Sequence, residues 1–201
     1  MRDPASTDAA PLDLGALTHH PHDDIVVRSR PVIERLSVNV VEPVDLCVTH
    51  DARVFVADRR LETVFRLDPD AVHIAGSGLS GLMRVQSDFA GNVYALCGVS
   101  GEGRVVQMTS SGYVATIASF DFRPAGFHLT TPGRLVVAAY DGRVFELGED
   151  DQPVLKATLA ERIRDVAATA ALGTIVLTES GRVVLLQSGD GASVMGYAPA
   201  Q

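Results

Sequence analysis

Cysteine occurs only twice in the 201 residues, at Cys47 and Cys97. Two thiols in strand-like segments of different repeats cannot make the disulfide framework of a small secreted domain, and neither has the close neighbours that a zinc site needs. Both are expected as small buried hydrophobes. Lysine occurs once, at Lys156, so the positive charge is almost wholly arginine, scattered singly along the chain. With a formal net charge of -8 there is no clustered basic surface to follow phosphates, and neither nucleic acid nor an anionic membrane is an expected partner. Uninterrupted apolar runs of the roughly twenty residues that span a bilayer are missing. No apolar run precedes Ile25, so no signal peptide is expected, and a cytoplasmic setting is the default expectation.

What the chain does contain is apolar residues, 46% of the total against 21% charged, enough to bury a core. They recur with a period. One row of strand-like segments reads Arg53-Val-Phe-Val, Asn92-Val-Tyr-Ala, Arg134-Leu-Val-Val and Thr174-Ile-Val-Leu, at intervals of 39, 42 and 40 residues. A second row follows it: Thr63-Val-Phe-Arg-Leu, Arg104-Val-Val-Gln-Met, Arg143-Val-Phe-Glu-Leu and Arg182-Val-Val-Leu-Leu. All-strand units of about forty residues, none able to bury its own faces, predict the blades of a β-propeller or partial propeller.

The predicted order is an arm at 1–23, an N-terminal half blade at 24–42, and four four-stranded blades at about 43–81, 82–123, 124–162 and 163–199. The arm is rich in Ala, Pro, Asp, Thr and His and has neither strand nor helix periodicity, so it is expected to be disordered. The half blade is read from Pro31-Val-Ile-Glu-Arg-Leu, which precedes Val44 as Pro153-Val-Leu-Lys-Ala-Thr precedes Val166. Leu159 to Leu172 is Ala-rich and could be helical, but the repeat puts a strand there. Segments joining the anchor rows are predicted from Ala57-Asp-Arg-Arg-Leu-Glu, Cys97-Gly-Val-Ser-Gly-Glu-Gly, Tyr140-Asp-Gly and Glu179-Ser-Gly.

The unit Pro43-Val-Asp-Leu-Cys-Val-Thr-His-Asp-Ala-Arg-Val-Phe-Val-Ala-Asp-Arg-Arg, with Thr63-Val-Phe-Arg-Leu after it, resembles the NHL repeat and its gluconolactonase-like relatives among six-bladed propellers. Pro124, Pro132-Gly-Arg and Asp141-Gly-Arg-Val of the third blade fit nearly as well. The resemblance spans about 43–199 and implies a blade rather than an activity. Absence of tryptophan speaks against the WD and tryptophan-docking propellers. Four blades and a half fall short of the six that the resemblance implies, leaving a tight small ring, a five-fold ring with one thin blade, or an open arc completed by another chain. An open arc exposes strand edges and an apolar face.

Candidate ligand-binding residues are those opening each blade beside the channel, Asp45, Arg84, His128 and Asp165, which could orient a carboxylate or sugar or could neutralise one another. His19, His20 and His22, with Asp23 and Asp24, form a His-rich tract of a metal-binding kind, but nothing around it would hold ligands rigidly, so an exposed tail is expected there rather than a metal site. The gluconolactonase-like resemblance implies a channel metal held by Glu, Asn and Asp; Asn occurs here only at Asn39 and Asn92. No catalytic residue and no cofactor is expected. The functional expectation is a non-enzymatic interaction module, a scaffold or assembly subunit that binds a protein partner or itself through blade loops and an open edge. Its alternative is a metal-dependent, lactonase-like hydrolase or lyase working in the channel.

Overall fold

The computed structural model describes residues 40–130, 134–147, 152–169 and 172–186, and the backbone of 192–197. Among them there is no helix, and the Ala-rich segment after Leu159 is a strand. Sheet one holds β1 (Pro43–Val48), β2 (Val54–Asp58), β3 (Thr63–Leu67) and β4 (Val72–Gly76); sheet two holds β5 (Leu82–Ser87), β6 (Val93–Val99), β7 (Glu102–Met108) and β8 (Val114–Phe120). Sheet three holds β9 (Pro124–Thr130), β10 (Arg134–Ala139), β11 (Arg143–Leu147) and β12 (Pro153–Thr158); sheet four holds β13 (Ile163–Thr169), β14 (Gly173–Thr178), β15 (Arg182–Leu186) and β16 (Ala192–Tyr197). Each is an antiparallel meander in chain order. The arm and most of the half blade lie outside the described residues.

Local chemistry explains the reversals. At four of the turns an oxygen-bearing side chain accepts the N–H four residues on: Thr49 from Arg53, Asp88 from Asn92, Thr109 from Tyr113 and Thr178 from Arg182. Such Asx- and ST-type bonds fix the reversal without help from the rest of the fold. The segment from Cys97 to Gly103, expected to join the two anchor strands, is mostly strand. Its turn is only Ser100-Gly101, both at positive φ (45° and 96°), the geometry of a two-residue hairpin that follows the strand twist.

One hydrogen bond recurs in every sheet and joins the residue entering the inner strand to the one leaving the second strand. Arg59 donates to Glu42, Gly98 to Gly81, Tyr140 to Arg123 and Glu179 to Arg162, all backbone to backbone at 2.9–3.0 Å. Sheet one adds a buried carboxylate. Asp58 accepts from the backbone N–H groups of Glu42 (3.0 Å), Leu61 (2.9 Å) and Val41, and so ties the incoming chain to the end of β2.

Three apolar cores separate the sheets. Sheets one and two close on Phe55, Ala57, Val64, Leu82, Val85, Val93 and Met108. Between sheets two and three lie Leu96, Val105, Phe127, Val137 and Phe145, with Phe122 stacked on Phe145 at 4.6 Å. Sheets three and four share Val136, Ala138, Val144, Ile163, Val166 and Val176. The inner strands touch in sequence, β1 to β5, β5 to β9 and β9 to β13, so the sheets fan about one axis as propeller blades do. Among the described residues, no packing of comparable extent joins sheet four back to sheet one.

Burial by itself raises the pKa of Asp58, but the backbone N–H donors of Leu61, Val41, Glu42 and Arg60 outweigh it and leave the carboxyl below its usual range. A depressed folded pKa adds stability that is complete above the unfolded value of about 3.9 and is lost as pH falls through the folded one. Asp58→Ala should therefore cost about 2 kcal/mol in urea unfolding at pH 7, and less at a pH low enough to protonate the wild-type carboxyl. Equal losses at both pH values would contradict this role.

Candidate functional site

Every inner strand carries a β-bulge near its start, and the bulges set a common register. Opposite Ala57, Leu96, Ala138 and Leu177 of the second strands stand Asp45, Arg84, Gly126 and Asp165. Three of the sequence candidates thus occupy one equivalent position. His128 lies two residues further along, in register with Cys47, Gln86 and Ala167. The register also pairs Asp45 with Asp165 and Leu46 with Val166, correcting the match of Val44 to Val166 used for the half blade. A two-residue slip preserves strand alternation, so apolar pattern alone does not detect it.

Asp45, Arg84, His128 and Asp165 all line one cavity of about 590 Å³ at the axis, together with Gln86 and Phe127. Their partners are chiefly structural. Asp45 accepts from the N–H of Leu46 (2.9 Å) and, across to the next sheet, of Val85 (3.0 Å). Gln86 clamps β9 with both ends of its amide, donating to the Phe127 carbonyl and accepting from the Leu129 N–H, each at 3.0 Å. His128 makes the corresponding reach to the Ala168 backbone. Ser87 reaches backwards to the Val48 carbonyl at 3.1 Å. Gly126 is glycine because an added Cβ would meet the Asp165 carboxylate. Arg84 and Asp165 face each other at 3.5 Å with side chains 37% and 44% exposed, a pairing worth little in water.

Among the described residues no group of three His, Cys, Asp or Glu side chains lies close enough to hold a metal ion. His19, His20 and His22 fall outside those residues. Gln86 and Gly126 were not singled out from the sequence; the signal available was their spacing from Cys47 and Asp45 within the repeat.

A second cavity, of about 610 Å³, lies at the edge of sheet two among Cys97, Arg104, Phe120 and Asp121. Both cysteines are free, Cys97 buried and Cys47 only partly so. Burial, reinforced by Asp45, pushes the Cys47 thiol up to about 12. Burial also raises that of Cys97, against the opposing pull of Arg104. Neither is a thiolate nucleophile near neutral pH.

The far face of sheet one is the other candidate. Two cross-strand rows run over it, Leu46-Val56-Phe65-Ile74 and Val48-Val54-Leu67-Val72, every member apolar. Leu46 is 62% exposed, Val48 54% and Ile74 67%. Contiguous apolar patches of large size are uncommon on the surface of soluble monomers.

No protein-family model matches the sequence, and no curated protein does so. Solved structures match it in shape. Virginiamycin B lyase from Staphylococcus aureus superposes with a TM-score of 0.62 at 10% identity, over 76% of this chain and 55% of that one. A gluconolactonase from Xanthomonas campestris gives 0.60 at 14% identity, over 77% and 61%. A Bacteroides caccae protein of unknown function gives 0.62 at 13%, over 84% and 65%. The chain spans less than two thirds of the length of each. At such identities the likeness is one of fold.

Burial holds the His128 imidazole below the usual histidine range, against the upward pull of the Ala168 backbone bond and of Asp165. The neutral ring is the folded form, so its contribution is complete above the unfolded pKa of about 6.5 and fades as pH falls through the folded value. NMR titration should show His128 protonating below the ordinary histidine value of about 6.5. A ring that titrates at or above about 6.5 would contradict its role as a neutral clamp.

These comparisons place the four sheets among β-propeller folds of the gluconolactonase and virginiamycin B lyase type, and they assign the chain no activity.

Proposed function

We propose that the chain is a non-enzymatic propeller module, an assembly subunit whose working surface is the open face of sheet one and the adjoining edge. The observation that carries this reading is the pair of apolar rows from Leu46 to Ile74 and from Val48 to Val72. Counterparts of Leu46, Val54, Val56, Phe65 and Leu67 in sheets two and three are buried in the inter-sheet cores, as Val85, Val93, Ala95, Val106 and Met108 are in sheet two. The NHL-like motif of the first blade belongs to the same reading, because in Pro43–Asp58 it specifies a rigid strand pair rather than a reactive group.

The alternative, a metal-dependent, lactonase-like small-molecule hydrolase or lyase with its site in the channel, draws on the enzymes named among the structural neighbours. Against it stands the use of Asp45, Gln86 and His128 as clamps on backbone groups, which leaves Arg84 and Asp165 as the polar pair facing the cavity.

A Leu46→Asp, Ile74→Asp double variant should melt within a few degrees of wild type at concentrations too low for association, since substitutions at exposed positions usually change stability by less than about 0.5 kcal/mol. Leu82→Asp, in the core, should abolish folding. Unfolding of the double variant would show that this face is internal, and stoichiometric calcium or zinc binding lost on Asp165→Ala would favour the channel enzyme.

A further inference from the structure

The two ends of the arc are complementary by construction. In sheets one to three the face turned to the next sheet carries, on its second and third strands, Phe55, Ala57 and Val64, then Tyr94, Leu96 and Val105, then Val136, Ala138 and Val144. All but Tyr94 are buried against the following sheet. In sheet four the same register positions are Ile175, Leu177 and Val183, which are only partly buried because no fifth sheet follows among the described residues. Beside them Leu185 occupies the position held by Arg66, Gln107 and Glu146 in the other sheets. The one sheet with nothing described beyond it is thus the one that replaces a polar residue with leucine there.

Sheet one presents the reciprocal surface. Leu46, Val54, Val56, Phe65 and Leu67 stand where Val85, Val93, Ala95, Val106 and Met108 of sheet two receive sheet one, and where Phe127, Leu135, Val137, Phe145 and Leu147 of sheet three receive sheet two.

We infer that the open face of sheet one is covered by sheet four of a second copy of this chain, head to tail, and that the reciprocal contact closes a two-chain ring. This rests on the reading of that face as a docking surface and names its occupant. The contact is heterologous, using different surfaces of the two partners, and two such contacts related by a two-fold axis close without leaving an open end. It repeats a joint the chain already makes three times within itself.

The test is the mass in solution, by light scattering and sedimentation, of the wild-type chain and of two single variants, Leu46→Asp on sheet one and Ile175→Asp on sheet four. Wild type should be a dimer, and each variant should weaken dimerisation at least tenfold. An equimolar mixture of the two variants should recover dimers, because one of its two joints then contains neither substitution. If Ile175→Asp unfolds the chain, Leu185→Lys replaces it, since Arg66, Gln107 and Glu146 show that the position accepts polar side chains. A wild-type monomer at high micromolar concentration would overturn the inference, as would a dimer broken by Leu46→Asp but indifferent to both sheet-four variants, or variants that do not rescue each other. The proposed docking surface would survive those results if the Leu46→Asp, Ile74→Asp chain still melted like wild type in dilute solution, and would fall with the inference if that chain were unfolded at every concentration.

Discussion

Everything in this molecule depends on burying the face of one small sheet against the opposite face of the next. A four-stranded meander of five- to seven-residue strands has two apolar faces and no interior. Full burial of a Val, Leu or Phe side chain contributes roughly 1.5–3 kcal/mol, and each sheet gains this only through its neighbours. The repeat of about forty residues is the chain-level expression of that need, because every unit must offer the same two faces at the same register. It also explains why the ends matter: an arc of such units carries its own adhesive surface at both extremities, whatever covers them.

The polar groups at the axis serve the same packing. Asp45, Gln86 and His128 are the kinds of residue that draw attention in a cavity, yet each extends from an inner strand to backbone groups of the following one. Neighbouring inner strands belong to different sheets and share no ladder, so their exposed N–H and C=O groups need partners, and side chains of suitable length supply them. In the last sheet, which has no described successor to clamp, Ala167 holds the place of Gln86 and His128 and Asp165 that of Asp45. The chemistry of the axis is thus a consequence of its architecture before it is a candidate for anything else.

Much of this was legible in the residues. The alternation in Arg53-Val-Phe-Val and its three successors defined the second strands, and Asp141-Gly and Ser180-Gly marked hairpins. Strand assignment after Leu159 followed from the repeat although local propensity favoured a helix. The length of the hairpin at Ser100-Gly101 was not legible: Gly98 and Gly103 look like loop residues, but they are small because Pro124 presses against both. Nor was the register of the inner strands. The bulge puts Gly126, not His128, opposite Ala138, and only the pairing with β10 reveals it.

The sequence by itself determined the unit: its strands, its turns, and the two apolar faces that forbid it to stand alone, because alternation and turn chemistry act over a few neighbouring residues. Tertiary structure decided which charged and polar side chains meet at the axis, which of them are spent on backbone partners, and which apolar faces stay open. Those outcomes depend on contacts between residues about forty positions apart, whose relative placement is fixed by bulges and sheet packing that no local pattern encodes.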